Sequence, residues 1–144
     1  MSVLLEHVIQ IAAPQSVVWC VTVDIERWPQ WTPTVTSLQR LDEGPLACGC
    51  AALIQQPGLP KAKWMVRALI PDERFTRENG ILGMRMIATH ELSTSETGTQ
   101  SVLRLEMSGF VAHLLSPLIR FPAQRSLERE NAALKARCES LARK

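Results

Sequence analysis

From residue 84 to residue 93 apolar and polar positions alternate. Met84, Met86, Ala88, His90 and Leu92 share one parity; Arg85, Thr89, Glu91 and Ser93 share the other, with Ile87 its one apolar member. Successive side chains of a strand point to opposite faces, so the pattern predicts a half-buried strand whose apolar face carries a histidine. Similar runs recur from Val35 onward. Turn-forming residues at 43–45, 57–60, 71–73, 79–80 and 95–100 separate runs of strand length, and predict a meander of six strands near 34–41, 47–56, 63–70, 74–78, 84–94 and 101–109. An alternating run at 3–11 makes a seventh.

Two stretches follow a helical period instead. After the first strand, Pro14 suits a first helical turn, and Pro29 and Pro33 interrupt the residues beyond it, which predicts two short helices joined at Asp24, a natural N-cap. Near the end, Leu127, Asn131, Leu134, Cys138 and Leu141 recur at spacings of four and three and predict a long amphipathic helix. Ser116 and Pro117 read as its N-cap and first position, and Pro122 as a kink or a late start. The order is strand, two short helices, six strands, long helix. An antiparallel sheet with one apolar face and a single striped helix can bury both surfaces only if the sheet curls around the helix, a geometry that tends to leave a hollow.

Composition changes this picture little. A chain of 144 residues suffices for one domain, 1–144, burying roughly two-thirds of its unfolded surface. With 46% hydrophobic and 21% charged residues and a net charge of +2, it is ordinary globular usage that calls for no nucleic acid. The opening residues lack a basic n-region and carry Glu6 and His7 within the apolar run, which argues against a signal peptide or a membrane span; the expectation is a cytoplasmic protein without stable membrane insertion. Cys20, Cys48, Cys50 and Cys138 form no C-x-x-C pair and have no histidine at zinc-ligand spacing. They read as buried reduced thiols, and neither metal nor cofactor is expected.

Five segments in order, "IQIAAPQSVVWCVTVDIERWPQW", "QQPGLPKAKWMV", "RFTRENG", "ATHEL" and "LKARCE", resemble the START-like, or SRPBCC, superfamily, in its polyketide cyclase/dehydrase-like branch. The first carries an apolar strand, Ala-Pro, Val-Trp, an Asp and Trp-x-x-Trp. The resemblance implies an α+β helix-grip fold: a curved seven-stranded antiparallel sheet around the C-terminal helix, two short helices after the first strand, and a cavity for a hydrophobic small molecule. It implies no single activity, because carriers, cyclases, hydrolases and sequestering proteins share the scaffold.

Parity then nominates the lining: Cys50, Ala52 and Ile54; Trp64 and Val66; Phe75; Met84, Met86, Ala88 and His90; Leu103, Leu105 and Met107; and from the helix Leu114, Leu118 and Phe121. The methionines and small residues would make an adaptable apolar wall; equally, all of these positions read as a filled core. Trp28 and Trp31 straddle Pro29 and read first as structural anchors; alternatively one packs on the sheet and the other, Trp31, borders the entrance as a binding residue. Arg77 shares the parity of Phe75. It is read first as a strand-end residue reaching solvent along its own methylenes, and alternatively as an anchor for a carboxylate or enolate.

His90 is the ring that both parity and the resemblance point inward. It reads as structural, as a hydrogen-bond partner for a ligand, or as a general acid or base. His7 has inward parity too, and the family's sheet order would set it about 10 Å away, two strand spacings. The chain has no Tyr, and Glu91, Glu106 and Ser108 take the outward parity, so His90 has no visible catalytic partner. From Arg120 onward seven cationic residues face three glutamates, among them Glu130; this is read as a solvated face laced with ion pairs, with contact to an anionic membrane as the alternative.

The expected function is therefore binding of a small hydrophobic, lipid-like or aromatic, molecule as a carrier or sequestering protein. The alternative is an aromatase/cyclase-like enzyme on a polyketide-type substrate, with His90 as acid/base and Arg77 holding an oxyanion. A vestigial-cavity interaction protein is a third reading, and a homodimer is left open.

Overall fold

The computed structural model describes residues 2–81 and 83–143. β1 (Ser2–Ile11) leads into α1 (Gln15–Val23), a single 3-10 turn at Ile25–Arg27 and α2 (Trp28–Trp31). Then come β2 (Ser37–Arg40), β3 (Ala51–Gln55), β4 (Ala62–Ile70), β5 (Arg74–Ile81), β6 (Met84–Ser95), β7 (Gly98–Ser108) and α3 (Phe110–Ala142). The strands form one antiparallel sheet in the order β1-β7-β6-β5-β4-β3-β2, so the meander is closed at one side by β1 pairing with β7 from Ser2↔Ser108 to Ile11↔Thr99. This is the helix-grip architecture, and the sheet holds α3 chiefly through β1, β7 and β6.

Alternation drives the sheet as expected. β1 buries Val3 and Leu5 and exposes Leu4 and Glu6; β6 buries Ala88, His90 and Leu92. On α3 the stripe of Leu127, Asn131, Leu134 and Cys138 is buried, with Leu141 packed beside it. Asn131 is fully buried because its amide is fully used. Its Nδ2 group donates to His7 Nδ1 (3.0 Å), to the His7 carbonyl (3.2 Å) and to the Ser101 carbonyl (3.3 Å), while its Oδ1 accepts from Ser101 Oγ (2.9 Å). These bonds pin the helix to β1 and β7 and fix its rotation.

Several boundaries differ from the sequence reading. α3 starts at Phe110, not at Ser116–Pro117. Gly109 (φ 102°) makes the turn out of β7, where a Cβ would lie 2.5 Å from the Gly83 carbonyl oxygen, so only glycine fits. Pro117 and Pro122 then lie inside the helix; the His113 carbonyl that Pro117 cannot serve accepts a bond from Ser116 Oγ (3.2 Å). Asp24 makes no side-chain cap and instead sits 3.4 Å from Arg27. Asn79–Gly80, read as a turn, continues β5, and the chain reverses at Gly83 (φ 76°). Residues 47–50, expected in the third strand, precede β3, whose first N–H, of Ala51, donates to Asp42 Oδ2 (2.6 Å). The thiols are also corrected. All four cysteines are free, but only Cys138 is buried, which pushes its thiol up to about 12; Cys20 and Cys48 are exposed.

Candidate functional site

The inner faces of β4, β5 and β6 meet in register. Val66 pairs with Arg77 and Arg77 with Ala88; Phe75 pairs with His90 and Asn79 with Met86. Phe75, Arg77 and Asn79 of β5 therefore point into the grip, and all three are buried. Trp28 comes down on them from α2. It is wholly buried, with its Nε1–H donating to the Thr22 carbonyl (3.1 Å).

Polar groups enter this apolar interior without the partners that buried polar groups ordinarily have. The Arg77 guanidinium, 5% exposed, lies 4.1 Å from the Trp64 ring centre and 5.1 Å from that of Trp28, a cation held between π-faces. Its Nε and Nη1 groups have no hydrogen-bond partner among the described residues, nor do Oε1 of Glu130, Nδ1 of His90 or either amide atom of Asn79. Glu130 arrives from α3, next to the anchoring Asn131. Arg77 and Glu130 sense each other's charge but form no direct ion pair.

The electrostatics follow from burial. Desolvation pulls the Arg77 pKa down and Glu130 opposes the shift; a guanidinium starts so high that it keeps its charge. Desolvation raises the Glu130 carboxyl, against the pull of Arg77. His90 is pushed down to about 3, first by burial and then by the Arg77 charge, so it is neutral at physiological pH. Its ring stacks on Phe75 (centroids 5.8 Å apart, planes 19° apart) and sits 5.9 Å from Trp28. The hollow beside Arg77, lined by residues including Ile25, Trp28, Ile54, Trp64 and Phe75, measures about 10 Å³, room for roughly one water. Two larger hollows of about 430 and 360 Å³ lie outside, around α1; Trp31 borders the first.

The residues nominated from sequence divide into three groups. Ile54, Trp64, Val66, Phe75, Arg77, Ala88 and His90 converge at the cluster, with Trp31, Cys50, Met86 and Leu105 packed against it. Leu103 and Met107 are buried, but under α3 with Leu5 and Leu127. Leu114, Leu118 and Phe121 do not line the interior; Leu118 and Phe121 are 74% and 68% exposed. The early start of α3 explains this correction, since Ala112, Ile119, Ala123 and Leu127 take the sheet-facing side. Arg77 does not reach solvent, contrary to the first reading of it. His7 does sit opposite the same residue, Leu103, as His90, two strands away, but its ring is taken by Asn131.

Two members of the cluster escape the sequence reading. Asn79 has the parity of Phe75 and Arg77, a signal masked by the turn-like Asn-Gly pair. Glu130 stands three residues after Leu127 and four before Leu134, on the apolar stripe, yet reads in one dimension as one more solvated charge.

A sequence profile for the family described as "polyketide cyclase / dehydrase and lipid transport" matches residues 2–139. The chain belongs to this family. Solved structures agree with that family's fold: the Zhui aromatase/cyclase of Streptomyces sp. R1128 aligns at 17% identity over 96% of this chain and 94% of that one, with a TM-score of 0.79. A protein of Thermus thermophilus aligns at 20% identity over 99% of each chain (TM-score 0.75). The di-domain ARO/CYC StfQ from the steffimycin biosynthetic pathway aligns at 13% identity over 99% of this chain and 52% of that one (TM-score 0.76), so this family member spans about half its length. No curated protein matches the sequence. No helix among the described residues of this polyketide cyclase/dehydrase and lipid transport family member is long and apolar enough to cross a membrane.

Proposed function

We propose that the protein binds a small, largely apolar molecule bearing one anionic or strongly hydrogen-bonding oxygen, as a carrier or sequestering protein. The observation that carries this reading is Arg77: a guanidinium removed from water, flanked by two indoles, with two N–H-bearing nitrogens that no described residue bonds. A buried charge in that state is destabilising, and a carboxylate, sulfonate or enolate would complete it in the forked geometry guanidinium favours. Asn79 and the neutral His90 offer further hydrogen bonds, and the indole and phenyl faces suit an aromatic or lipid-like body. The hollow holds only about one water, so binding requires the aromatic side chains around Arg77 to move apart, a minor state drawn out by the ligand.

The second reading is an aromatase/cyclase-like enzyme on a polyketide-type substrate, with Arg77 holding an enolate. It is favoured by the opposing buried pair, Arg77 and Glu130, whose carboxyl burial raises above its ordinary value, the direction a general acid requires. His90 fits the acid/base role poorly, because a ring with a pKa of about 3 is a weak base at neutral pH.

Fluorescence titration with a matched pair of probes tests the proposal: anilinonaphthalene sulfonate, and phenylnaphthylamine, which has a similar aromatic body without the anion. Preference for the sulfonate, with quenching of Trp28 and Trp64, is expected. Equal weak binding of both, or none, contradicts it. The enzyme reading requires turnover of a polyketide-type substrate that Arg77→Met abolishes.

A further inference from the structure

The N-terminal part of α3 carries a bare apolar stripe. Phe110, Leu114, Leu118 and Phe121 are 75%, 63%, 74% and 68% exposed, the barest large apolar residues among those described. At about 100° of rotation per residue they fall within an arc of roughly 80°, on the side away from Ala112, Ile119 and Ala123, which pack toward the sheet. Single exposed leucines are ordinary, but an aligned row with two phenylalanines marks a contact surface.

Charge identifies the partner. From Phe110 to Leu127 the helix contains no Asp or Glu, whereas Arg125 falls within the arc of the stripe with its guanidinium 5.8 Å from the Phe121 ring; Arg120, also exposed, lies roughly 80° outside that arc. A second copy of the chain meeting this face about a two-fold axis would bring no carboxylate from Phe110–Leu127 to answer Arg125. A lipid surface rich in anionic headgroups answers both features at once, taking the phenyl and leucyl side chains into the acyl boundary and the guanidinium groups at the phosphates.

We propose that this stripe docks the protein flat on anionic bilayers. From Phe110 to Phe121 the helix rises only about 17 Å, enough to lie in the interface and too little to span it. The stripe lies outside the Arg77 cluster, so docking stands or falls independently of the ligand reading.

Cosedimentation of the full chain with phosphatidylcholine vesicles, with and without phosphatidylserine, tests it. Binding to the mixed vesicles is expected, at least about tenfold weaker without the anionic lipid and weakened by salt. Leu118→Glu with Phe121→Glu should lower binding at least about tenfold with no loss of melting temperature, because both side chains are in solvent. Leu59→Glu, at a comparably exposed leucine (52%) before β4, should bind as the parent does. Failure of the parent protein to bind mixed vesicles, or undiminished binding by the double variant, overturns the proposal. So does a stable dimer in solution that Leu118→Glu dissociates, which would make a second copy the occupant.

Discussion

Residues 77 and 78 are neighbours on β5, and the two faces of the sheet treat their charges in opposite ways. Glu78 points outward, where its Oε2 accepts from Arg67 (3.3 Å) and Arg85 (2.7 Å), and these bonds hold its carboxyl below the usual carboxylate range. On the same face Arg104 is bonded by Glu6 and Glu91, and Arg74 lies beside Glu91. Arg77 points inward and meets indole faces instead of a carboxylate. The outer charges are paired and wet, so each is nearly neutral to stability. The inner ones are dry and unpaired, so they weaken the fold unless something binds them. A charge kept where it destabilises is the stronger sign of a site.

The largest test of this contrast is pH. Folded His90 stays neutral down to about pH 3, whereas in the unfolded chain the ring takes up a proton near its ordinary 6.5. Between those values the unfolded state binds more protons, so stability falls as pH drops from about 6.5 toward 3, by on the order of 4 kcal/mol from this ring. Urea unfolding across that range should show a slope that His90→Asn flattens; an equal slope in the variant would mean the ring is not dry. Next in size is the satisfied interior network. Asn131→Leu strands Ser101 Oγ and two carbonyls and should destabilise by about 2–3 kcal/mol in the same assay. A loss no larger than that of a surface substitution would remove Asn131 as the pin of α3. Smallest is the outer face: Glu78→Gln should change stability by less than about 1 kcal/mol, and by less still in high salt.

How far the sequence exposes all this depends on what sets each position. Strand parity is local and strong, so Trp64, Phe75, Ala88 and His90 are readable as inward from alternation alone. The apolar stripe from Leu127 to Leu141 is equally plain. The features that stay hidden depend on contacts between distant segments. Asn-Gly at 79–80 has the chemistry of a tight turn, yet pairing with Met86 and Arg85 on β6 extends the strand through it. Local capping rules draw the α3 start to Ser116–Pro117, while the close approach of Gly109 to Gly83 decides it. Leu118 and Phe121 look like lining because apolar residues ordinarily go inside, and only the phase set by Ala112 and Ile119 turns them outward. Arg77 and Glu130 carry the inward parity and the stripe position of their neighbours, yet a charged side chain in one dimension reads first as solvated, and only the packing shows both to be buried.

The central claim is that Arg77 is held for a ligand and not for the fold, and one substitution measures both halves of it. Arg77→Met keeps the length of the side chain and removes its charge; Glu130, already raised toward its neutral form, can take up a proton in response. The expected result is a melting temperature equal to or above that of the parent, together with a loss of at least about tenfold in affinity for anilinonaphthalene sulfonate. A variant that loses more than about 3 kcal/mol of stability while binding the probe undiminished would show that the buried arginine serves the fold and would contradict the account.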